Sequence, residues 1–307
     1  MEPLDVAARV AAGQDGVLTA RQAIACGVHP TQVRDLCRAG RWRRLARGSY
    51  LVDADVVGPP ARRAVIRAAV ASAGPGAVAV LDTAAEMWGI AGLRRTALVH
   101  VSVPPDSPRA QRRRHPDIVV HQLGLRSADV TSVAGIPATT PVVTVADVIR
   151  RVERYSAVAL LDSALNTGRL GEADVAAIPR LIQGRRGAVA ARGVLAEADG
   201  RAQSPLETMV RLRCVDGGVP PDDLQVEVRD PDGYLLGVGD LGWRAAKVIA
   251  EADGAGPHGL PAAVYQDRQR QNRLVNAGWL ILRFTWHDAQ REDYIPYTVR
   301  TALNRQP

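Results

Sequence analysis

The chain has 307 residues, 47% hydrophobic and 23% charged, which predicts a soluble globular protein of two or three domains. Its formal net charge is +7, and Lys247 is the only lysine, so the cations are almost all arginine, the residue that pairs bidentately with phosphate oxygens. Three cysteines without a CxxC pair, and six histidines without HxxxH or HExxH, exclude a zinc site or a disulfide framework. The N-terminus carries Glu2 and Asp5 and lacks an apolar core, so it does not read as a signal peptide. No run approaches a membrane span, and the expected compartment is the cytoplasm.

The charge divides the chain into a basic front (1–60), a basic middle (61–203) and a slightly acidic rear (204–307). In the front, Val6 and Val10 lie on a short first helix that Gly16-Val17-Leu18 breaks. Thr19 caps a second helix running through Cys26, and His29-Pro30-Thr31 starts a third with Val33, Leu36 and Cys37 at helical spacing. Helix, Gly-containing turn and helix make a helix-turn-helix. Trp42-to-Leu45 and Tyr50-to-Val52, flanking Arg47-Gly48-Ser49, predict a hairpin, hence a wing. Arg34, Arg38, Arg41, Arg43, Arg44 and Arg47 fall within fourteen residues against Asp35 alone. Either they form a solvated face, or the third helix enters a DNA major groove. In the second case Thr31, Gln32 and Arg34 read base edges, and Arg43, Arg44 and Arg47 neutralise phosphates. Gly-Val-Leu-Thr-Ala-Arg-Gln-Ala at 16–23 and Gly40-Arg-Trp-Arg-Arg-Leu-Ala-Arg-Gly-Ser-Tyr-Leu51 resemble the N-terminal winged helix of AbiEi-type antitoxins of type IV toxin–antitoxin systems. The resemblance implies double-stranded operator DNA as ligand and a cognate toxin as partner, with no membrane.

The middle is a mixed α/β connecting segment. Helix is predicted over 62–70, and 77–81 is either a strand or the lead into the helix that carries Trp88. Strands are predicted at Leu98–Val103 and Ile118–His121, and amphipathic helices at Val142–Val152 and Ala157–Leu165. Gly184 to Gly187 reads as an Arg/Gly turn. His100 and His121 sit in apolar strands, where a cross-strand or core role outweighs catalysis. Arg112-Arg113-Arg114 is either a solvated loop or a DNA contact.

In the rear, Ser204-Pro205-Leu206-Glu207 starts a helix as a capping box with proline at its first position. Leu224–Val228, Tyr234–Asp240 and Lys247–Asp253 read as three strands. A helix over Val264–Ala277, the strand Trp279–Phe284 and a last helix follow. Asp240 and Glu251 each end an apolar run, and Asp253 precedes Gly254. Carboxylates gathered at strand ends repel one another unless a cation joins them, and hard ions such as Mg²⁺ or Mn²⁺ take oxygen ligands of this kind.

The order α-β-β-β-α-β-α, with an acid closing one strand and Glu251 on the next, resembles the restriction-endonuclease-like PD-(D/E)xK fold. Asp253-Gly254, His258, Asp267-Arg268 and Gly278-Trp279-Leu-Ile-Leu-Arg-Phe284 are similar to its very-short-patch-repair (Vsr-like) branch. That resemblance implies metal ligands at Glu207, Asp240 and Glu251, with Asp253 and His258 completing a catalytic set. His258 lies five residues past Asp253, where relatives place it four. Glu207 also suits a plain capping box, Asp253 a turn, and Asp267 with Arg270 a helix-surface ion pair. Lys247 is either a stand-in for the fold's usual lysine or a solvated strand end.

Two functions follow. One is a Mg²⁺-dependent DNA endonuclease that a winged helix guides. The other is a non-catalytic regulator and antitoxin of AbiEi type whose nuclease-like domain binds a partner.

Overall fold

A computed structural model of the chain describes residues 2–52, 61–107, 115–254 and 261–305. His258 and Arg112 to Arg114 lie outside the described residues. The contacts group into two units, one of Met1–Gly89 and Arg94–Val148, the other of Ile90–Leu93 and Ile149–Pro307. The middle segment is therefore divided: its strands belong with the front, its later helices with the rear.

The first unit opens with α1 (Pro3–Ala12), β1 (Val17–Thr19), α2 (Ala20–Ala25), α3 (Pro30–Arg38), β2 (Arg43–Ala46) and β3 (Ser49–Leu51). Thr19 caps α2, its hydroxyl accepting from the Gln22 backbone at 3.2 Å while Gln22 Oε1 accepts from Thr19 N at 2.9 Å. At α3, Gln32 Oε1 accepts from His29 N at 2.8 Å, the His29 ring accepts from Thr31 N, and Pro30 occupies the first turn. Leu18, Ala23, Val33, Leu36 and Trp42 share one core. The strands are antiparallel in the order β1-β3-β2, and Arg47 and Gly48 make the hairpin turn, Gly48 with a φ of +69°. This is the element order of a winged helix. The residues 17–19 do more than break a helix. They pair with β3, a tertiary contact that three residues of sequence do not announce.

Next comes α4 (Arg62–Ala73), which serves two sheets. Ala64 and Ala68, one turn apart, meet Val17 and Ala46 of the winged helix. Ile66, Val70 and Ala73 face a second sheet instead. That sheet comprises β4 (Val78–Ala79), β5 (Val99–Ser102), β6 (Ile118–His121), β7 (Val130–Val133) and β8 (Ile136–Thr139) in the order β6-β5-β4-β8-β7. The helix α5 (Leu81–Trp88) follows β4, and α6 (Pro141–Val148) follows β8. Residues 77–81 thus supply both a short strand and the lead into a helix. Asp15, in the α1–β1 turn, accepts from Arg63 Nε at 2.6 Å and Arg67 Nε at 2.8 Å. Arg67 also donates to the carbonyls of Ala134 and Gly135 in the β7–β8 turn. One carboxylate and one guanidinium therefore join the winged helix, α4 and the second sheet.

The second unit holds α7 (Arg154–Asn166), α8 (Glu172–Leu181), α9 (Ala188–Leu195), α10 (Pro205–Asp216), β9 (Asp223–Arg229), β10 (Leu235–Trp243), β11 (Val248–Ala252), α11 (Pro261–Asn276), β12 (Leu280–Phe284), α12 (Trp286–Ala289) and α13 (Tyr294–Leu303). The sheet order is β12-β11-β10-β9, antiparallel except for β11 with β12, whose parallel pairing requires the α11 crossover. Leu206, Val210, Leu241, Val248, Phe284 and Val299 fill the α10/α13 face, and Val228, Ile249 and Leu274 fill the α11 face. The α-β-β-β-α-β-α order read from the sequence is present, with the short α12 added before the last helix.

Asp162 of α7 ties this unit's helices together. It is 1% exposed and accepts from Asp199 N (2.7 Å), Thr208 Oγ1 (2.8 Å) and Arg211 Nη2 (2.9 Å), the last two on α10. Burial pushes its carboxyl above the usual range despite these donors. Among the described residues, no helix is long and apolar enough to cross a membrane.

The Asp15 joint yields a pH-dependent prediction. Burial pushes the Asp15 carboxyl up, but the hydrogen bonds and charges of Arg63 and Arg67 outweigh it and hold the pKa below the usual value. A depressed folded pKa stabilises the fold above the unfolded pKa of about 3.9, and the gain is lost as pH falls through the folded value. Asp15→Asn should lower stability by about 1–3 kcal/mol at pH 7. Urea unfolding at pH 7 and pH 3 should show that difference shrinking on acidification.

Candidate nucleic-acid interface and acid cluster

On the winged helix, Thr31, Gln32, Arg34, Arg38, Arg41, Arg44 and Arg47 are exposed, and Arg43 is half-buried. Amphipathic α3 turns Val33 and Leu36 inward, leaving Arg34 and Arg38 on the opposite side. Thr31 and Gln32 do capping work: the Thr31 hydroxyl lies 2.6 Å from His29 Nδ1, and Gln32 Oε1 accepts the His29 amide. Their remaining donors and acceptors stay at the helix start. Arg38 pairs with Asp35 at 3.3 Å, with both side chains largely in solvent, so the pair adds little to stability. Arg44 lies in β2, and Arg47 and Gly48 form the wing tip. Gly48 O accepts from Ala20 N at 2.8 Å, which pins the tip to the start of α2.

In the second unit, three of the predicted acids converge, and the fourth, Asp253, does not join them. Asp240 lies within β10 rather than at its end, because β10 keeps pairing with β9 as far as Gly242 and with β11 as far as Trp243, and turns only at 244–247. Leu241 opposes Ala250, the β10–β11 pair farthest from the turn and the last before the two strands part. There Asp240 Oδ2 accepts from Ala252 N at 2.8 Å, replacing a ladder carbonyl. Burial raises the Asp240 pKa to about 6. The Ala252 donor opposes this, the charges of Glu207 and Glu251 raise it further, and Arg270 lowers it.

Glu207 is buried at the start of α10. Its N–H does donate to Ser204 Oγ (3.2 Å), but its carboxylate reaches past the cap residue. Glu207 Oε2 accepts from Gln203 N (2.8 Å) and Gln225 Nε2 (3.0 Å). Gln225 has a φ of +50° inside β9, an uncommon conformation for a side-chain-bearing residue. Neither glutamine was legible as a site residue. The only signal was an amide in the middle of an apolar strand.

Glu251, 8% exposed, is met by two arginines: Arg270 Nη1 lies 2.8 Å from Oε1 and Arg283 Nη2 lies 3.2 Å from Oε2. The Arg270 N–H groups point to Val238 O (2.9 Å) and Asp267 Oδ1 (2.7 Å), so Oε1 has an ion pair without a directed hydrogen bond. Arg283 faces Glu251 in the parallel register and bonds to Asp267 Oδ2 at 2.9 Å. Hydrogen bonds from Arg270 hold the Asp267 carboxyl below the usual range. Asp267–Arg270 is thus the expected i,i+3 pair, and it also orients charge at Glu251. Asp253 is exposed, and among the described residues the cation it pairs with is Arg283, at 3.8 Å. Lys247 stands exposed in the β10–β11 turn with a φ of +48°, at the opposite end of β11 from Glu251, so the solvated reading holds. His100 Nδ1 and His121 Nε2 lie 2.9 Å apart on the neighbouring strands β5 and β6, their rings stacked, a cross-strand pair.

As placed, these carboxylates do not fit a divalent ion. Guanidiniums meet both Glu251 oxygens, and backbone or amide donors engage one oxygen each of Glu207 and Asp240. Among the described residues, no group of three His, Cys, Asp or Glu is arranged to hold a metal.

The front of the chain is thus a winged helix with a basic exposed face. A family model described as "Transcriptional regulator, AbiEi antitoxin" matches residues 5–52, and one described as "AbiEi antitoxin C-terminal domain" matches 77–197. Two Mycobacterium tuberculosis proteins, "Uncharacterized protein MT2308" and "Uncharacterized protein Rv2248", are each 34% identical over 217 residues, spanning 70% of this chain and 77% of theirs. The crystal structure of RV2827C protein from Mycobacterium tuberculosis aligns with 74% of this chain and 89% of that chain, at 16% identity and a TM-score of 0.40. The chain belongs to one family with the two 34%-identical mycobacterial proteins and carries both AbiEi antitoxin domains.

The acid cluster gives a prediction. A carboxyl whose folded pKa is raised stabilises the fold below its unfolded pKa of about 3.9, and this contribution is lost as pH rises through about 6. Asn keeps the shape and the acceptor for Ala252 but cannot ionise. Without added metal, Asp240→Asn should therefore gain on the parent between pH 4 and pH 7, by up to about 3 kcal/mol. Paired denaturant titrations at the two pH values measure this. A parent that stays more stable than the variant at pH 7 would make the Asp240 carboxylate a favourable structural anion.

Proposed function

We propose that this chain is a double-stranded-DNA-binding transcriptional regulator of the AbiEi antitoxin kind, acting in the cytoplasm alongside a cognate toxin. The observation that carries this reading is the exposed row Arg34, Arg38, Arg41, Arg44 and Arg47 on α3 and the hairpin, opposed only by Asp35. Thr31, Gln32 and Arg34, at the start of α3, are the base-edge readers, and Arg43, Arg44 and Arg47 meet the backbone. The domain boundaries proposed for these roles are 1–60 for DNA reading, 61–203 for connection and 204–307 for the nuclease-like fold. Replacing Arg43, Arg44 and Arg47 by Ala should weaken duplex binding at every sequence. It should flatten the slope of log K against log salt by about 0.9 for each phosphate that the variant no longer neutralises. Fluorescence anisotropy across a salt series tests this, and an unchanged slope would remove the wing from the interface.

The juxtaposition of Asp240, Glu207 and Glu251 supports a second reading, a Mg²⁺- or Mn²⁺-dependent endonuclease in the PD-(D/E)xK, Vsr-like manner. Asp253 and His258 are its further proposed residues. Arg270 and Arg283 weigh against it, because they already neutralise the carboxylate that a metal would need. Supercoiled plasmid incubated with the protein and Mn²⁺, against EDTA and against Glu251→Gln, separates the two readings. The regulator reading expects no nicking above the EDTA control.

A further inference from the structure

Within the first unit a pocket of about 810 Å³ opens behind the wing, between the hairpin, the start of α2, the last turn of α4 and the edge of β6. Its volume lies within the roughly 300–1,000 Å³ of small-molecule sites. Arg21, Arg44 and Arg47 line it, together with His115, while Leu45 and Ile118 give it an apolar wall. No carboxylate lines it among the described residues, and none there pairs with the three arginines. Asp117 lies 3.5 Å from His115 and is not among the lining residues. Three exposed guanidiniums around a concave site are a phosphate-recognition set. The wall of Leu45 and Ile118 offers a surface for a flat ring, and the carboxyl end of α4 presents carbonyls suited to a ring amine rather than to a second anion.

We infer that this pocket is a nucleotide site, with phosphate held by Arg21, Arg44 and Arg47 and the base laid against Leu45, Ile118 and the end of α4. The inference deepens the DNA-binding reading, because Arg44 and Arg47 are also the wing's phosphate contacts. One guanidinium cannot serve both anions at once, so nucleotide and operator compete. The duplex backbone explains the arginines but not the apolar wall behind them, which favours a small ligand as the occupant.

The test uses the full chain and ADP, with adenosine and inorganic pyrophosphate as the separated halves of the ligand. Calorimetry without DNA should show saturable ADP binding at least tenfold tighter than either half. Ser72→Tyr, which places a large ring on the pocket-lining turn of α4, should weaken ADP at least tenfold while leaving duplex affinity at its parent value. Arg21→Ala should weaken ADP by a similar factor, which guards against misfolding of the first variant. Saturating ADP should reduce duplex affinity of the parent at least fivefold and that of Ser72→Tyr hardly at all. No ADP binding at millimolar concentration, pyrophosphate binding as tight as ADP, or full ADP affinity in Ser72→Tyr would each overturn the site. ADP binding with duplex affinity unchanged would overturn the competition. Duplex binding measured without nucleotide reports on the regulator reading alone, so the two can fail independently.

Discussion

Buried carboxylates need positive charge near them, and much of the second unit answers that constraint. Glu207 and Glu251 are each 8% exposed, and their charges help hold the Asp240 carboxyl at about 6. The chain supplies its own counter-charges from two directions. Arg270 comes from α11, across one face of the sheet, and Arg283 from the strand beside Glu251. Asp267 then fixes both guanidiniums, so the cluster closes as a network of two arginines and two acids. Removing both arginines would leave Glu251 as a buried, uncompensated charge, which costs more than the intact pairs contribute.

The winged helix meets the opposite demand. Most of its basic groups, Arg43 excepted, are kept in solvent, and its helix starts and wing tip are set by short local bonds rather than by charge. The reciprocal caps at Thr19–Gln22 and His29–Gln32 set both helix starts, and the Gly48 carbonyl bound to Ala20 N holds the wing tip against α2. The arginines on this frame are therefore presented with little loop entropy left to lose when phosphate arrives.

What could be read from the sequence followed how locally each feature is encoded. Thr19, the His29-Pro30 start of α3 and Ser204-Pro205 carry their own capping chemistry, so those helices were legible. The apolar stretch Trp279–Phe284 announced β12 in the same way. The strand β1 and the pair β7–β8 were not legible. The first is three residues long and exists through pairing with β3, and the second carries Pro137 and an Ala134-Gly135 turn that mask its alternation. At the acid cluster, Asp240 and Glu251 stood out as acids ending apolar runs, whereas Glu207 read as a capping-box acid that the nuclease resemblance also picked out. That Asp240 sits within its strand depended on where β10 stops pairing, and the Arg283 partnership depended on parallel register across a crossover. Neither is a property of neighbouring residues in the chain.

The Asp162 junction bears on how such chains are assembled over time. The AbiEi match ends at residue 197, which invites the view that everything after it is a detachable cassette. Yet Asp162, well inside the matched region, takes all three of its donors, from Asp199, Thr208 and Arg211, beyond it. A recombination point between the two would strand a buried anion in the front fragment and orphan its partners in the rear one. Shuffling at that seam therefore carries an electrostatic toll. Lineages that exchange the rear portion should be those in which position 162 has first become apolar, or in which the incoming helix already brings a hydroxyl and a guanidinium three residues apart.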